Sequence, residues 1–241
     1  MLFFYLRHGD PIYDPDSLTA LGQKQADALA KRLAMYGIDR IYASTSNRAI
    51  QTARPTCDLV KKQPTLLDFC NEAHVWDELT IPVGNPHGGG KTWLFDHPGT
   101  RLLFTEDSMR QLSYRWYDHE EFQQYGYQKG MERVYDGLDE LFASLGYEHE
   151  RYSGRYRVTR PNNERVALFA HRGFGLTFLS CLLDIPVPQY CVHHDMSHTG
   201  MTVIEFKEQD GYAIPKVLTH SSDSHLYREG LPTQYDYGPW F

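Results

Sequence analysis

Short, almost wholly apolar runs that end in charged or polar residues recur along the chain. Leu2–Leu6 is the first, and its composition predicts a strand buried on both faces, as in a parallel sheet. Arg165–Ala170, containing Val166-Ala-Leu-Phe-Ala170, has the same character, as do Ile38–Ser44 and Met201–Phe206. Pro64–Phe69 reads as a further strand and Pro215–Leu218 as an edge strand. Between these runs the period changes to that of a helix. Over Leu18–Tyr36 the apolar residues Ala26, Leu29, Ala30 and Leu33 share one face, and Gly37 follows as a stop. The stretch from Ser44 to Arg54 opens a second helix. Ser46 or Asn47 can cap it, which places Arg48 in the first turn and a bend at Pro55. Glu132–Leu145 carries Val134, Leu138, Leu141 and Phe142 on one face, and Phe174–Leu183 is apolar enough for a buried helix. Strand, helix and strand over residues 2–44 predict a right-handed βαβ unit. The whole pattern predicts an α/β fold with a mostly parallel central sheet and helices on both faces.

The periodicity fades between about residues 80 and 128. Aromatic residues and glycine dominate there, among them Trp93, Phe95, Phe104, Trp116, Phe122 and the Gly88-Gly89-Gly90 run. So many aromatics argue against disorder, and a long irregular segment in a compact domain points to a lid. The expectation is one domain over residues 1–241 with a partly helical cap inserted at about 80–128. Tyr147–Asn163 is polar and charged and reads as an exposed loop or hairpin.

Charge narrows the partners. A net charge of −7 over 241 residues argues against a nucleic-acid or anionic-membrane surface, which would need basic patches. Cys57, Cys70, Cys181 and Cys191 form no Cys-x-x-Cys pair, so buried free thiols and a reducing cytoplasmic setting are expected. The N-terminus enters a strand without a basic leader, and no apolar run reaches the roughly 18 residues of a membrane span.

The chemistry gathers at strand ends. In an open α/β sheet, ligands collect beyond the carboxyl ends of the strands. The first run delivers Arg7-His8-Gly9 there and the Arg165 run delivers His171-Arg172-Gly173. A cation and an imidazole there make an anion site, and between the two strand ends lie Arg48 at a helix start and Glu72 after a strand.

Leu6-Arg7-His8-Gly9, Leu18-Thr-Ala-Leu-Gly-Gln-Lys-Gln-Ala26, Arg48-Ala-Ile-Gln-Thr-Ala53 and Ala170-His171-Arg172-Gly173, in this order and spacing, resemble the histidine phosphatase superfamily of phosphoglycerate mutase-like fold. The resemblance implies a phosphohydrolase that cleaves a small phosphate monoester through a phosphohistidine on His8, without a cofactor. Arg7, Arg48 and His171 would hold the phosphoryl oxygens, and arginine suits this because its planar fork stays cationic. Two arginines near His8 should keep its imidazole neutral, and one ring nitrogen must be fixed while the other attacks. The arginines supply the charge that a metal ion supplies elsewhere, so no metal is implied. Glu72 is the choice for the proton donor, with Glu78 its rival and Asp77 third; the stretch Phe69–Trp76 departs from the family by lacking a Gly-rich continuation. Thr199 could reach the phosphate through hydroxyl or backbone, and His225 reads as structural. Mutase-type phosphoryl transfer and a non-catalytic phospho-ligand binder are the alternatives.

Two other signals compete. His193-His-Asp-Met-Ser-His198 gathers four potential metal ligands in six residues, although His198 could equally line the pocket rim. Gly84–Thr92 imitates a P-loop, but Asn85 stands where that motif needs its first glycine. Within the insertion, Trp93 or Trp116 could shape a ring-binding subsite, and Lys91 or Arg101 could bind a second anionic group.

Overall fold

A computed structural model describes residues 1–84 and 90–233. The P-loop-like stretch therefore lies largely outside the described residues. A six-stranded sheet forms the centre. In spatial order its strands are Lys216–Ser222, Met201–Glu205, Leu2–Arg7, Arg165–Ala170, Arg40–Ser44 and Thr65–Leu67. The last four run parallel, and the first two are antiparallel additions. The sheet is mostly parallel, as the pattern of apolar runs predicts. The Arg165–Ala170 strand lies between the Leu2–Arg7 and Arg40–Ser44 strands.

Strand alternation sorts the core into two layers. Phe3, Tyr5, Val166, Leu168 and Ala170 face one layer, together with residues of the Tyr127–Ser144 and Arg172–Leu183 helices. Phe4, Leu6, Ala167 and Phe169 face the other, against Leu29 and Leu33 of the Ala20–Ala34 helix and Ala53 and Cys57 of the Asn47–Val60 helix. Pro55 does not end that second helix, which continues to Val60.

The segment from about 80 to 128 is partly helical. It holds a hairpin (Thr80–Val83 with Gly90–Trp93) and two six-residue helices, Pro98–Leu103 and Asp107–Leu112. Its Leu94, Phe95, Phe104, Met109, Trp116 and Phe122 join the same buried cluster as Phe3 and Tyr5. The Tyr147–Asn163 segment does form a hairpin, but the strand alternation turns Tyr147 and Tyr156 inward, where both are about fully buried against Phe206. That is a correction to its reading as exposed.

The Ala20–Ala34 helix approaches the loop after His8 backbone against backbone. A Cβ on Gly22 would lie 2.2 Å from the carbonyl oxygen of Asp10, and one on Gly9 would lie 2.6 Å from that of Gly22. Neither neighbour can yield without moving main chain. Gly22→Ala is therefore expected to cost ~1–3 kcal/mol, read as a lower melting temperature together with reduced activity, since the loop it displaces carries His8. An unchanged melt would contradict this packing account.

Candidate active site

Parallel pairing in register brings the two histidines together. Arg7 stands opposite Ala170, and the His8 N–H donates to the Ala170 carbonyl at 2.9 Å. The next residue of each strand is then a histidine, and the rings of His8 and His171 lie 5.2 Å apart at 61°. Both are buried.

The sequence motifs act as braces for the loop that follows His8. Thr52 accepts from the Gly9 N–H at 3.0 Å, Gln25 from the Asp10 N–H at 2.8 Å, and Gln51 from the Leu18 N–H at 2.8 Å. The glutamines and threonine of the two helical motifs are thus spent on backbone donors of the stretch that follows His8.

His8 Nδ1 lies 2.7 Å from the Gly9 carbonyl, an acceptor only, so Nδ1 carries the proton and Nε2 is left with its lone pair. Burial, then His171, Arg7 and Arg48, push its pKa well below the ordinary 6.5. The imidazole is neutral at pH 7, as expected for a nucleophile. His171 Nε2 meets the Ser44 hydroxyl at 2.8 Å and the Ser46 hydroxyl at 3.2 Å. Ser44 Oγ also accepts from the Ser46 N–H, and when its own proton points to Nε2 the His171 proton resides on Nδ1. Burial lowers the His171 pKa to about 4, against the opposing pull of Glu72.

Arg48 spans two carboxylates: Nη1 donates to Asp16 Oδ1 at 2.7 Å and Nη2 to Glu72 Oε2 at 3.2 Å. Asp16 also accepts from the Asn47 N–H at 2.7 Å, so this helix is capped from the short Asp16–Leu18 strand, while the Ser46 side chain makes no capping bond. Arg7 Nη1 donates to the Met196 carbonyl and Nη2 to His198 Nε2 at 2.8 Å.

Glu72 opens a seven-residue helix, Glu72–Glu78, capped by Asn71, rather than standing in a loop after a strand. Its Oε1 accepts from the Gly173 N–H at 2.8 Å, and its Oε2 lies 3.6 Å from His171 Nδ1. One ligand atom each from His8, Glu72 and His171 lies within 4.8 Å of the others. Glu78 is committed elsewhere: Arg133 Nε holds both its oxygens at 2.9 and 2.8 Å. Asp77 is exposed. The geometry thus brings Arg7, His8, Arg48, Glu72 and His171 together.

Thr199 is placed differently from its expectation as a phosphate ligand. Its hydroxyl donates to the His198 carbonyl at 2.7 Å and meets His225 Nε2 at 2.9 Å, while its N–H donates to the His8 carbonyl at 3.2 Å. Both groups are occupied in holding the strand end. His225 is buried beside it. The His193–His198 run does not form a ligand cluster among the described residues: His194 stacks on Tyr190 at 4.3 Å, Asp195 pairs with Arg172, and His198 turns to Arg7, its ring 5.8 Å from that of His8. Trp116 is core, 1% exposed, whereas half-buried Trp93 packs on Gly173 so closely that a Cβ there would lie 2.3 Å from Cζ2. Lys91 is exposed, and Arg101 donates to the Val192 carbonyl.

Sequence reasoning missed Asp16, Ser44, Ser46 and the Gly173 N–H. Ser44 was legible only as a strand end, and Asp16 opens the short strand Asp16–Leu18, paired with Pro11–Tyr13, in a stretch rich in proline and polar residues that shows no strand pattern. It also left Arg172 without a role. That side chain clamps Asp96 of the insertion, at 2.7 and 2.9 Å, to Asp195, at 2.5 and 2.9 Å.

Known proteins share this architecture. A mycobacterial glucosyl-3-phosphoglycerate phosphatase is 19% identical, with a TM-score of 0.60 over 92% of this chain and 98% of its own. A mutant phosphoserine phosphatase of Entamoeba histolytica in complex with phosphoserine is 19% identical, with a TM-score of 0.57 over 93% of this chain and 98% of its own. The alpha-ribazole phosphatase of Shigella flexneri is 18% identical, with a TM-score of 0.58 over 92% of this chain and 97% of its own. At such identities these likenesses speak for the fold. A PE-PGRS family protein of Mycobacterium tuberculosis (strain ATCC 25618 / H37Rv) is 32% identical over 115 residues, 41% of this chain, and the match spans only 20% of that protein's length. Residues 6–83, which hold Arg7, His8, Arg48 and Glu72, match the family model described as histidine phosphatase superfamily (branch 1).

Proposed function

We propose that the chain is a phosphohydrolase that cleaves a small phosphate monoester through a phosphohistidine on His8, with no metal required. One observation carries the reading. The pocket holds two buried donors, Arg48 Nε and His171 Nδ1, with no hydrogen-bond partner among the described residues. Leaving a buried donor unmade costs about 1–3 kcal/mol, and a phosphoryl group beside His8 supplies the acceptors.

In this mechanism His8 Nε2 attacks phosphorus, and the P–O bond to the leaving group breaks. Arg7, Arg48 and His171 hold the equatorial oxygens, where charge is spread in the transition state. Glu72 delivers a proton to the departing oxygen. It then takes a proton from the water that attacks the phosphohistidine, releasing phosphate and restoring His8. The family match and the phosphatase neighbours support hydrolysis over mutase transfer. The free, buried cysteines fit a reducing cytoplasm, and no described helix is long and apolar enough to cross a membrane.

The His8, Glu72 and His171 grouping could also hold a divalent cation, and chelation separates the two readings. Hydrolysis of an aryl phosphate should persist in excess chelator; loss that is restored by added metal would overturn the metal-independent reading. Glu72→Gln keeps the shape but cannot cycle a proton. It should lower kcat by roughly 10²–10⁴-fold, with a smaller loss for substrates whose leaving group is acidic enough to depart unprotonated. An equal loss for all leaving groups would remove Glu72 from the donor role.

A further inference from the structure

Away from the active site, the Ala20–Ala34 helix and the short Ser224–Arg228 helix enclose a crevice of about 140 Å³. Its lining includes Lys31, Arg32, Arg228, buried His225 and Glu229. Three cations and one carboxylate share this space in a chain whose net charge is −7. Lys31 and Glu229 neutralise each other at 2.6 Å. Arg32 bonds through Nη1 alone among the described residues, to the Ser222 carbonyl at 3.2 Å, the Ser222 hydroxyl at 3.0 Å and, at the limit, His225 Nδ1 at 3.5 Å. Its Nη2 and Nε, and the exposed guanidinium of Arg228, have no hydrogen-bond partner among those residues. Gathering like charges costs energy unless an anion joins them, and the volume exceeds the ~30 Å³ share of one water several times over.

We propose that this crevice is a second, non-catalytic site for a phosphate dianion, bound by the forks of Arg32 and Arg228. Two unmatched positive charges suit a dianion, and guanidinium forks suit its tetrahedral oxygens. The site also touches the catalytic strand ends through side chains. Arg32 faces His225 Nδ1, His225 Nε2 meets the Thr199 hydroxyl, and Thr199 donates to the carbonyls of His198 and His8. The directions agree along the whole path: with the proton of neutral His225 on Nε2, each group donates to the next. A dianion that draws Arg32 toward itself therefore competes with its contact to His225.

The test is a calorimetric titration of the full chain with inorganic phosphate, beside histidine-ring NMR. Two equivalents should bind the wild-type chain. Arg228→Glu should lose one of them, with at least a tenfold weaker affinity, and Arg32→Gln should behave alike. Arg48→Ala should lose the other, so failure of the active-site reading shows in that variant alone. The His225 ring signals should move with phosphate in the wild type and in Arg48→Ala, but not in Arg228→Glu. Methylphosphonate, which is not hydrolysed, separates the sources. Binding of both anions assigns the site to phosphate monoesters, and binding of phosphate alone assigns it to the reaction product. A chain that binds the same number of phosphates after Arg228→Glu and Arg32→Gln, with His225 signals unmoved, overturns the proposal.

Discussion

His8→Ala is expected to lose hydrolysis of an aryl phosphate by roughly 10³-fold or more, the scale on which removing a nucleophile acts. The remaining pocket still offers Arg7, Arg48 and His171 to a phosphoryl group, so binding of inorganic phosphate should survive while turnover does not. Only the nucleophile distinguishes those two outcomes. The substitution deletes one hydrogen bond, Nδ1 to the Gly9 carbonyl, and a ring that is neutral because of its buried, cationic surroundings. The fold should tolerate that, and the melting temperature checks it. Rapid acid or base quenching during turnover supplies the complementary measurement. The wild-type chain should carry a phosphoryl group that is stable in base and labile in acid, the behaviour of a phosphoramidate, and His8→Ala should carry none. Full hydrolysis by His8→Ala would remove the covalent mechanism, whatever the binding result.

The site residues were legible where a local pattern ends on them. His8 and His171 terminate runs so apolar that only buried parallel strands accommodate them, and Arg48 follows residues that commonly cap helices. What local pattern cannot show is which strand ends are neighbours. The register of Arg7 against Ala170 joins residues about two-thirds of the chain apart, and the family resemblance, not periodicity, anticipated their meeting. The resemblance implies an acid between Arg48 and His171, and its place after a predicted strand singles out Glu72, but the helix it opens spans only seven residues, too short for a periodic signal. The insertion was harder still. Its aromatics pack ring against ring, as Trp116 does with Phe104, Phe122 and Tyr127, and such clusters follow no repeat. Tyr147 and Tyr156 were misread because the charged residues between them obscured a two-residue alternation. Thr199 shows the opposite limit: its proximity to the site was right, and its hydroxyl is nonetheless taken by His225 and the His198 carbonyl.

The largest stability effect is expected at His149, far from the chemistry. Its ring has no exposed surface and joins two carboxylates, Asp139 through Nδ1 at 2.9 Å and Asp184 through Nε2 at 3.1 Å. It stacks on Tyr156 at 4.4 Å and 14°. Both nitrogens can donate only if the ring is an imidazolium. Burial opposes that charge, but the two carboxylates outweigh it and hold the pKa above 6.5. Asp184 stays below the ordinary carboxylate range despite its burial, because His149 and the Gly154 N–H hold its charge. It ends the Arg172–Leu183 helix in a left-handed conformation, and Asp139 lies on the Tyr127–Ser144 helix, so the imidazolium ties both helices to the Tyr147–Glu150 strand. His149→Ala leaves Asp184 buried without its cation, a loss of about 3–5 kcal/mol, which corresponds to a melting temperature roughly 6–20 °C lower for a chain of this size. The pH dependence carries the distinguishing sign. A raised histidine pKa stabilises fully below 6.5, and the contribution fades as pH rises through the folded-state value. His8, His171, His198 and His225 act in the opposite sense: burial holds all of them below 6.5, so the unfolded chain gains protons the folded one refuses, and stability falls as pH drops through 6.5. The gap in melting temperature between the wild-type chain and His149→Ala should therefore narrow from pH 6 to pH 9, while both chains weaken alike on the acid side. A gap that stays constant across that range would mean that His149 acts through its packing on Tyr156 rather than through its charge.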